Sequence, residues 1–178
     1  MRRIVVGITN LEQHRHALSQ TPEIYRPPSC PHCGIKTVWS HGHYSRKADL
    51  CNRGEANPNP VPILRYCCSV CRRTCSRLPE CIAPRRWYNW RLQQSALHAL
   101  LTHREPQSPP PCPTPARRTL GRWWRWLQER SAQFRFTLTS RFPELGRAGD
   151  DAMFWHGVMD SLGLSCAMAW LDREMIVP

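Results

Sequence analysis

The spacing of apolar positions changes along the chain, and the changes mark its elements. Residues 1–29 mix polar and apolar types and end in Pro27 and Pro28; they predict a strand over 3–8, then a short helix or loop. Residues 37–43 and 63–67 predict two further strands, separated by an irregular loop over 53–62 that contains Asn-Pro-Asn-Pro. From Trp87 the period becomes helical: Trp90, Leu92, Ala96, Leu97, Leu100 and Leu101 form an apolar stripe that ends near His103. A proline-rich loop, 106–115, then excludes any continuous helix. It closes on Thr114 and Pro115, a capping hydroxyl followed by proline at a first helical position, which predicts a long helix over 116–139. Asp150 and Asp151 signal another helix start, and two last helices are expected over 151–162 and 165–174, split by Gly163.

At 100° per residue the long helix is two-faced. Leu120, Trp124, Leu127, Ser131, Phe134 and Leu138 fall within about 40° of one line. Arg118, Arg122, Arg125 and Glu129 lie opposite. Trp123 and Trp126 flank the apolar face and are expected in a core. The stretch 154–170, rich in Trp, Met and Leu, is expected to pack on this helix.

Charge gives the outer face a meaning. The formal net charge is +12, and of the 25 Lys and Arg residues all but Arg173 precede Asp150. Five of the 13 acids, Asp150, Asp151, Asp160, Asp172 and Glu174, sit in the tail. A basic body favours a polyanionic partner such as nucleic acid, and arginine suits bidentate phosphate contacts. No run of 18 apolar residues and no signal-type cleavage site is found, so a cytoplasmic protein without a membrane partner is expected.

Ten cysteines in such a chain point to metal ligands or buried thiols more than to disulfides. Two Cys-x-x-Cys turns, Cys30 with Cys33 and Cys68 with Cys71, supply the four thiolates that a structural zinc ion takes in a tetrahedron. The gap between them, 34–67, exceeds the commonest spacing of roughly 15–20 residues, and the 53–62 loop accounts for the excess. Cys67 and Cys75 compete for the second pair, but only Cys68 with Cys71 repeats the first spacing. His32, His41 and His43 are displaced as ligands by the four thiolates, and Cys51, Cys81, Cys112 and Cys166 lack paired neighbours.

The run CPHCG, His41-Gly42 ahead of Arg46, and RYCCSVCRRT resemble the transposase-type zinc ribbon at the N-terminus of small proteins encoded by bacterial insertion sequences. Those ribbons usually carry an aromatic where this chain has Cys75, and a shorter central loop. The resemblance implies a ribbon followed by a helix-turn-helix that together bind DNA during transposition, with RRTLGRWWRWL similar to the recognition helix. The proline run occupies the space of the short preceding helix, so a degenerate helical unit is expected.

The expected fold is α+β. A segment 1–29 precedes a small four-cysteine zinc ribbon of antiparallel strands at 30–84. An all-α part follows, made of a basic DNA-binding region at 87–149 and an acidic, apolar tail at 150–178. One structural Zn²⁺ is expected on Cys30, Cys33, Cys68 and Cys71, and duplex DNA on Arg72, Arg73, Arg117, Arg118, Arg122 and Arg125. The scattered acids, without a glycine-rich phosphate loop or nucleophile elbow, argue against catalysis and a small-molecule substrate. The expected function is that of a non-catalytic, zinc-dependent DNA-binding accessory or regulator of a mobile element. The alternative is a protein-interaction module that binds a transposase encoded nearby, or a polymerase subunit.

Overall fold

The computed structural model describes residues 3–47, 60–84, 88–104 and 114–175. Among them the fold is α+β: a three-stranded antiparallel sheet and a two-stranded parallel one, followed by helices.

The larger sheet joins β2 (Val38–Arg46), β3 (Val61–Cys68) and β4 (Thr74–Cys75) in that order. Both long strands outrun their expected bounds. Val61 and Pro62, assigned by sequence to the irregular loop, pair with Arg46 and Ser45. Val61 extends the strand because it is fully buried with Ile63, Leu78 and Ile82, an apolar gain that outweighs proline's lack of a donor. Residues 53–59 of that loop, together with most of the proline-rich stretch, lie outside the described residues. The β2–β3 register shifts between Ser40 and His43, so that His41 and Gly42 oppose the single residue Arg65. Gly42, at φ +72°, supplies the left-handed conformation such a bulge uses.

The N-terminal segment is part of the same body. Its strand, expected over 3–8, is confined to β1 (Ile4–Val5), because Gly7 at φ +88° turns the chain. It runs parallel to β5 (Leu78–Pro79). Asn10 then caps α1 (Leu11–Gln20) by accepting from the Gln13 N–H. A short 3₁₀ turn, Pro22–Tyr25, follows. Val5, Ile8, Ala17 and Tyr25 pack against Val38, Tyr66 and Cys68 on one face of the larger sheet. Buried His14 spans this layer. Its Nε2 donates to the Pro62 carbonyl at 3.0 Å, and its Nδ1 accepts from the Tyr25 hydroxyl at 2.6 Å. Burial holds its pKa below the usual value, consistent with this neutral form.

The helical part has its own core. Asn89 caps α2 (Trp90–Leu101). The long helix α3 (Arg117–Arg141) begins later than Thr114 and Pro115 predict: Ala116 holds the cap position without a side-chain hydrogen bond. Pro115 is buried ahead of the helix, acting as a packing group and not as its first residue. Asp150 caps α4 (Asp151–Ser161) through the Met153 N–H, and Gly163 at φ +75° separates it from α5 (Leu164–Glu174). Trp123, Leu127, Phe134 and Leu138 of α3 are buried with Phe154, Trp155, Val158, Leu164, Met168 and Leu171 of the last two helices. The buried face is rotated toward Trp123, leaving Leu120 and Trp124 at its margin.

Hydrogen bonds and the packing of Ile4 and Ala83 into the helical core join the halves. The Trp90 indole N–H donates to the Glu80 carbonyl at 2.8 Å. Asp172 of α5 accepts from the backbone N–H groups of Arg3 and Ile4.

Candidate metal centre

Both Cys-x-x-Cys turns are built by the same backbone device. In the first, the Cys30 N–H donates to the Ile35 carbonyl at 2.7 Å and the Gly34 N–H returns to the Cys30 carbonyl at 2.9 Å. In the second, the Cys68 N–H donates to the Arg73 carbonyl at 3.1 Å and the Arg72 N–H returns to the Cys68 carbonyl at 3.2 Å. Each turn therefore closes on itself with its sulfurs pointing to a common centre. The Ser69 N–H bonds to the Thr37 carbonyl at 3.2 Å and holds the two together.

The four sulfurs of Cys30, Cys33, Cys68 and Cys71 all lie within 4.8 Å of one another. Two of the edges are 3.6 Å, from Cys30 to Cys71, and 3.5 Å, from Cys33 to Cys68. A tetrahedron with metal–sulfur bonds of about 2.3 Å has edges of about 3.8 Å, so the group fits a tetrahedral metal ion without rearrangement. Backbone donors prepare the charge. Burial opposes ionisation of Cys30, yet the N–H groups of His32 and Cys33 hold its thiol below the usual range. The Cys71 N–H, foremost, pulls Cys68 down to about 6. The Arg73 N–H favours the Cys71 thiolate, but burial and the sulfurs of Cys30, Cys68 and Cys33 outweigh it and push that thiol up to about 12. Thiolate is thus stabilised on some sulfurs at the expense of others, a distribution that a cation would resolve by displacing the remaining protons.

The competing cysteines point elsewhere. Cys67, on β3, contacts the carbonyls of Cys68 and Arg72, and Cys75, on β4, contacts that of Tyr66. His32, His41 and His43 are exposed and outside the group. Cys81 and Cys166 are half-buried thiols, while Cys51 and Cys112 lie outside the described residues.

Arg72 and Arg73 are exposed on the second turn; on α3 Arg118, Arg122 and Arg125 are exposed opposite its buried face, and Arg117 is exposed on its flank. Arg122 donates to the Thr119 hydroxyl at 3.3 Å. Arg135 of the same helix instead faces inward, bonded to the Ala148 carbonyl and paired with Asp151 at 3.5 Å. A protein-family model described as a domain of unknown function (DUF6431) matches residues 30–123. The chain belongs to this family. The DUF6431 stretch takes in all four clustered cysteines, the larger sheet, α2 and the first turns of α3, including Arg117, Arg118 and Arg122. No curated protein and no solved structure matches the chain.

Sequence reasoning passed over one surface of the DUF6431 stretch. Cross-strand partners share a face, so Trp39 (opposite Cys67), Tyr44 (opposite Ile63) and Arg46 (opposite Val61) lie on the same side of the sheet as Arg65 and Thr74. Trp39 is 64% exposed. The signal was an aromatic pair in a short polar strand of a basic chain, which neither metal spacing nor helical periodicity picks out.

Proposed function

We propose that the four-cysteine group holds one structural zinc ion, that it forms a zinc ribbon of the transposase type, and that the protein is a cytoplasmic, non-catalytic DNA-binding accessory of a bacterial mobile element. A closed set of four thiolates from two matched turns is the donor set of structural zinc, with no position left open for a substrate. The resemblance of CPHCG and RYCCSVCRRT to transposase-type ribbons supports the biological setting, in which a transposase is the natural protein partner.

The observation that carries the DNA reading is the outer face of α3. This helix contains seven arginines and one acid, Glu129. Arg117, Arg118, Arg122, Arg125 and Arg130 are all exposed, and none forms an ion pair among the described residues. The opposite face is buried in the helical core, so the cationic side is fixed in orientation before any ligand arrives. Replacing Arg118, Arg122 and Arg125 together by Ala should weaken duplex DNA binding and flatten its salt dependence, by about 0.9 in log–log slope for each phosphate no longer neutralised. The substitution leaves the apolar face intact. An unchanged affinity and slope in the folded triple variant would overturn the reading in favour of a protein-interaction module.

A further inference from the structure

One face of the larger sheet is covered over Val61 and Ile63 by Leu78 and Ile82, and along its β2 side it alternates aromatic and cationic groups, with Trp39 64% and Tyr44 37% exposed. Trp39 and Tyr44 stand opposite Cys67 and Ile63, positions four residues apart on β3 and therefore about 13 Å apart along it. Between them, opposite the His41–Gly42 bulge, Arg65 reaches across the face and donates to the Thr74 hydroxyl on β4 at 3.4 Å. Beyond Tyr44 comes Arg46, half-buried, with its guanidinium anchored on the Ala83 carbonyl at 2.5 Å. The Tyr44–Arg46 end opens into a cleft of about 470 Å³ whose polar lining is Arg3, His32, Tyr44, Arg46, Thr74 and Ser76. No carboxylate lines it among the described residues.

We propose that this face binds a single-stranded stretch of nucleic acid, with bases stacked on Trp39 and Tyr44 and phosphates held by Arg65, Arg46 and Arg3. It rests on the nucleic-acid reading above for the class of ligand, and adds a second surface distinct from α3. The chemistry favours an unpaired strand because an exposed indole offers a π-face that any base can cover, whereas bases in a duplex are already stacked on one another. The two aromatics are spaced along a strand direction, and each is followed by a cation, matching the repeat of base and phosphate. An acidic or apolar protein partner would use the cations or the indole, but not their alternation beside a polar cleft of this size.

The test compares labelled oligothymidine with a mixed-sequence duplex of the same length, using the full-length metal-loaded protein. Trp39→Ala should weaken oligothymidine binding on the order of tenfold, Trp39→Phe should retain most of it, and neither should alter duplex affinity. Arg65→Gln should lower the single-strand salt slope by about 0.7. Metal content and far-UV dichroism certify the fold of each variant, which the exposure of Trp39 favours. Oligothymidine binding unchanged in folded Trp39→Ala would overturn the proposal, as would an equal loss for the duplex. Failure of the α3 arginine variant to alter duplex binding, with single-strand binding still dependent on Trp39, would remove the α3 reading and keep this one. A wild-type protein that binds neither probe would remove both.

Discussion

Gly34 and Arg72 occupy equivalent places in the two Cys-x-x-Cys turns. Each lies four residues after the first cysteine of its turn, each donates its N–H to that cysteine's carbonyl, and each adopts a left-handed backbone, at φ +75° and +58°. Only one of them is glycine. An L-residue in this region costs roughly 1–2 kcal/mol, so Arg72→Gly should raise the stability of the metal-loaded protein by up to about 1 kcal/mol after the loss of chain stiffness is offset. Gly34→Ala should lower it by a similar amount. Denaturant titrations of the two variants check the pair, and a destabilised Arg72→Gly would show that the Arg72 side chain contributes more than its backbone strain removes.

The metal assignment predicts a division among the cysteines. Cys33→Ser and Cys71→Ser should lose stoichiometric metal, because each removes a corner of the sulfur tetrahedron. Cys67→Ser and Cys75→Ser should retain it, since those sulfurs face carbonyls. Chelation of the wild type should release the sheet while sparing much of the helical dichroism, because α2 to α5 share a core that includes none of the four ligands. Metal analysis that found full occupancy in both Cys33→Ser and Cys71→Ser would remove the site.

How far these features could be read beforehand depended on whether their causes were local. Two Cys-x-x-Cys turns, the Asp150 cap and the Gly163 break act within a few residues, and sequence was enough to place them. In the N-terminal segment the order of strand and short helix is legible, but its partners are not, because they are remote: Ile4 and Val5 pair with Leu78 and Pro79, and His14 reaches Pro62. The start of α3 was misjudged for a related reason. Thr114-Pro115 is a good local cap, but burial of Pro115 fixes the entry of the helix from outside it. The helical wheel located the apolar side of α3 yet favoured Trp124 over Trp123, a choice made by neighbours outside the helix, among them Tyr88, whose ring meets that of Trp123 edge-on at 5.4 Å.

The tail predicts its own consequence for solubility. Phe154, Trp155, Val158 and Leu164 are fully or nearly fully buried against α2 and α3. A truncation ending at Gly149 should expose that surface and aggregate, which light scattering detects. A finer probe is Ser131, whose hydroxyl accepts from the Trp155 indole N–H at 3.0 Å in the core. Ser131→Ala strands that donor and should cost about 1–3 kcal/mol in unfolding free energy.

Asp172 gives a pH prediction. Burial, foremost, raises its carboxyl above the usual value, against the opposing pull of the Ile4 and Arg3 N–H groups. A folded state that holds this proton more tightly than the unfolded chain loses stability as pH rises from the ordinary carboxyl range through the raised value. Asp172→Asn keeps an acceptor and abolishes the titration. The stability of wild type minus that of Asp172→Asn should therefore fall across that window and level off above it, with the metal-site protons cancelling in the difference. Asp172→Ala should be worse than Asn by about 1–3 kcal/mol, because two inward N–H groups lose their acceptor. Urea melts of the three proteins at several pH values supply the comparison, and a flat difference would exclude the raised pKa.

The bond from Asp172 to the backbone of Arg3 and Ile4 also sets an order of events during synthesis. The two cysteine turns are complete once Arg73 has emerged, so the four-cysteine group is assembled early. The short strand at Ile4–Val5 must wait for its last acceptor until α5 leaves the ribosome, on the order of ten seconds later at ordinary elongation rates. A nascent chain would thus carry an assembled four-cysteine group while its first strand is still unclasped.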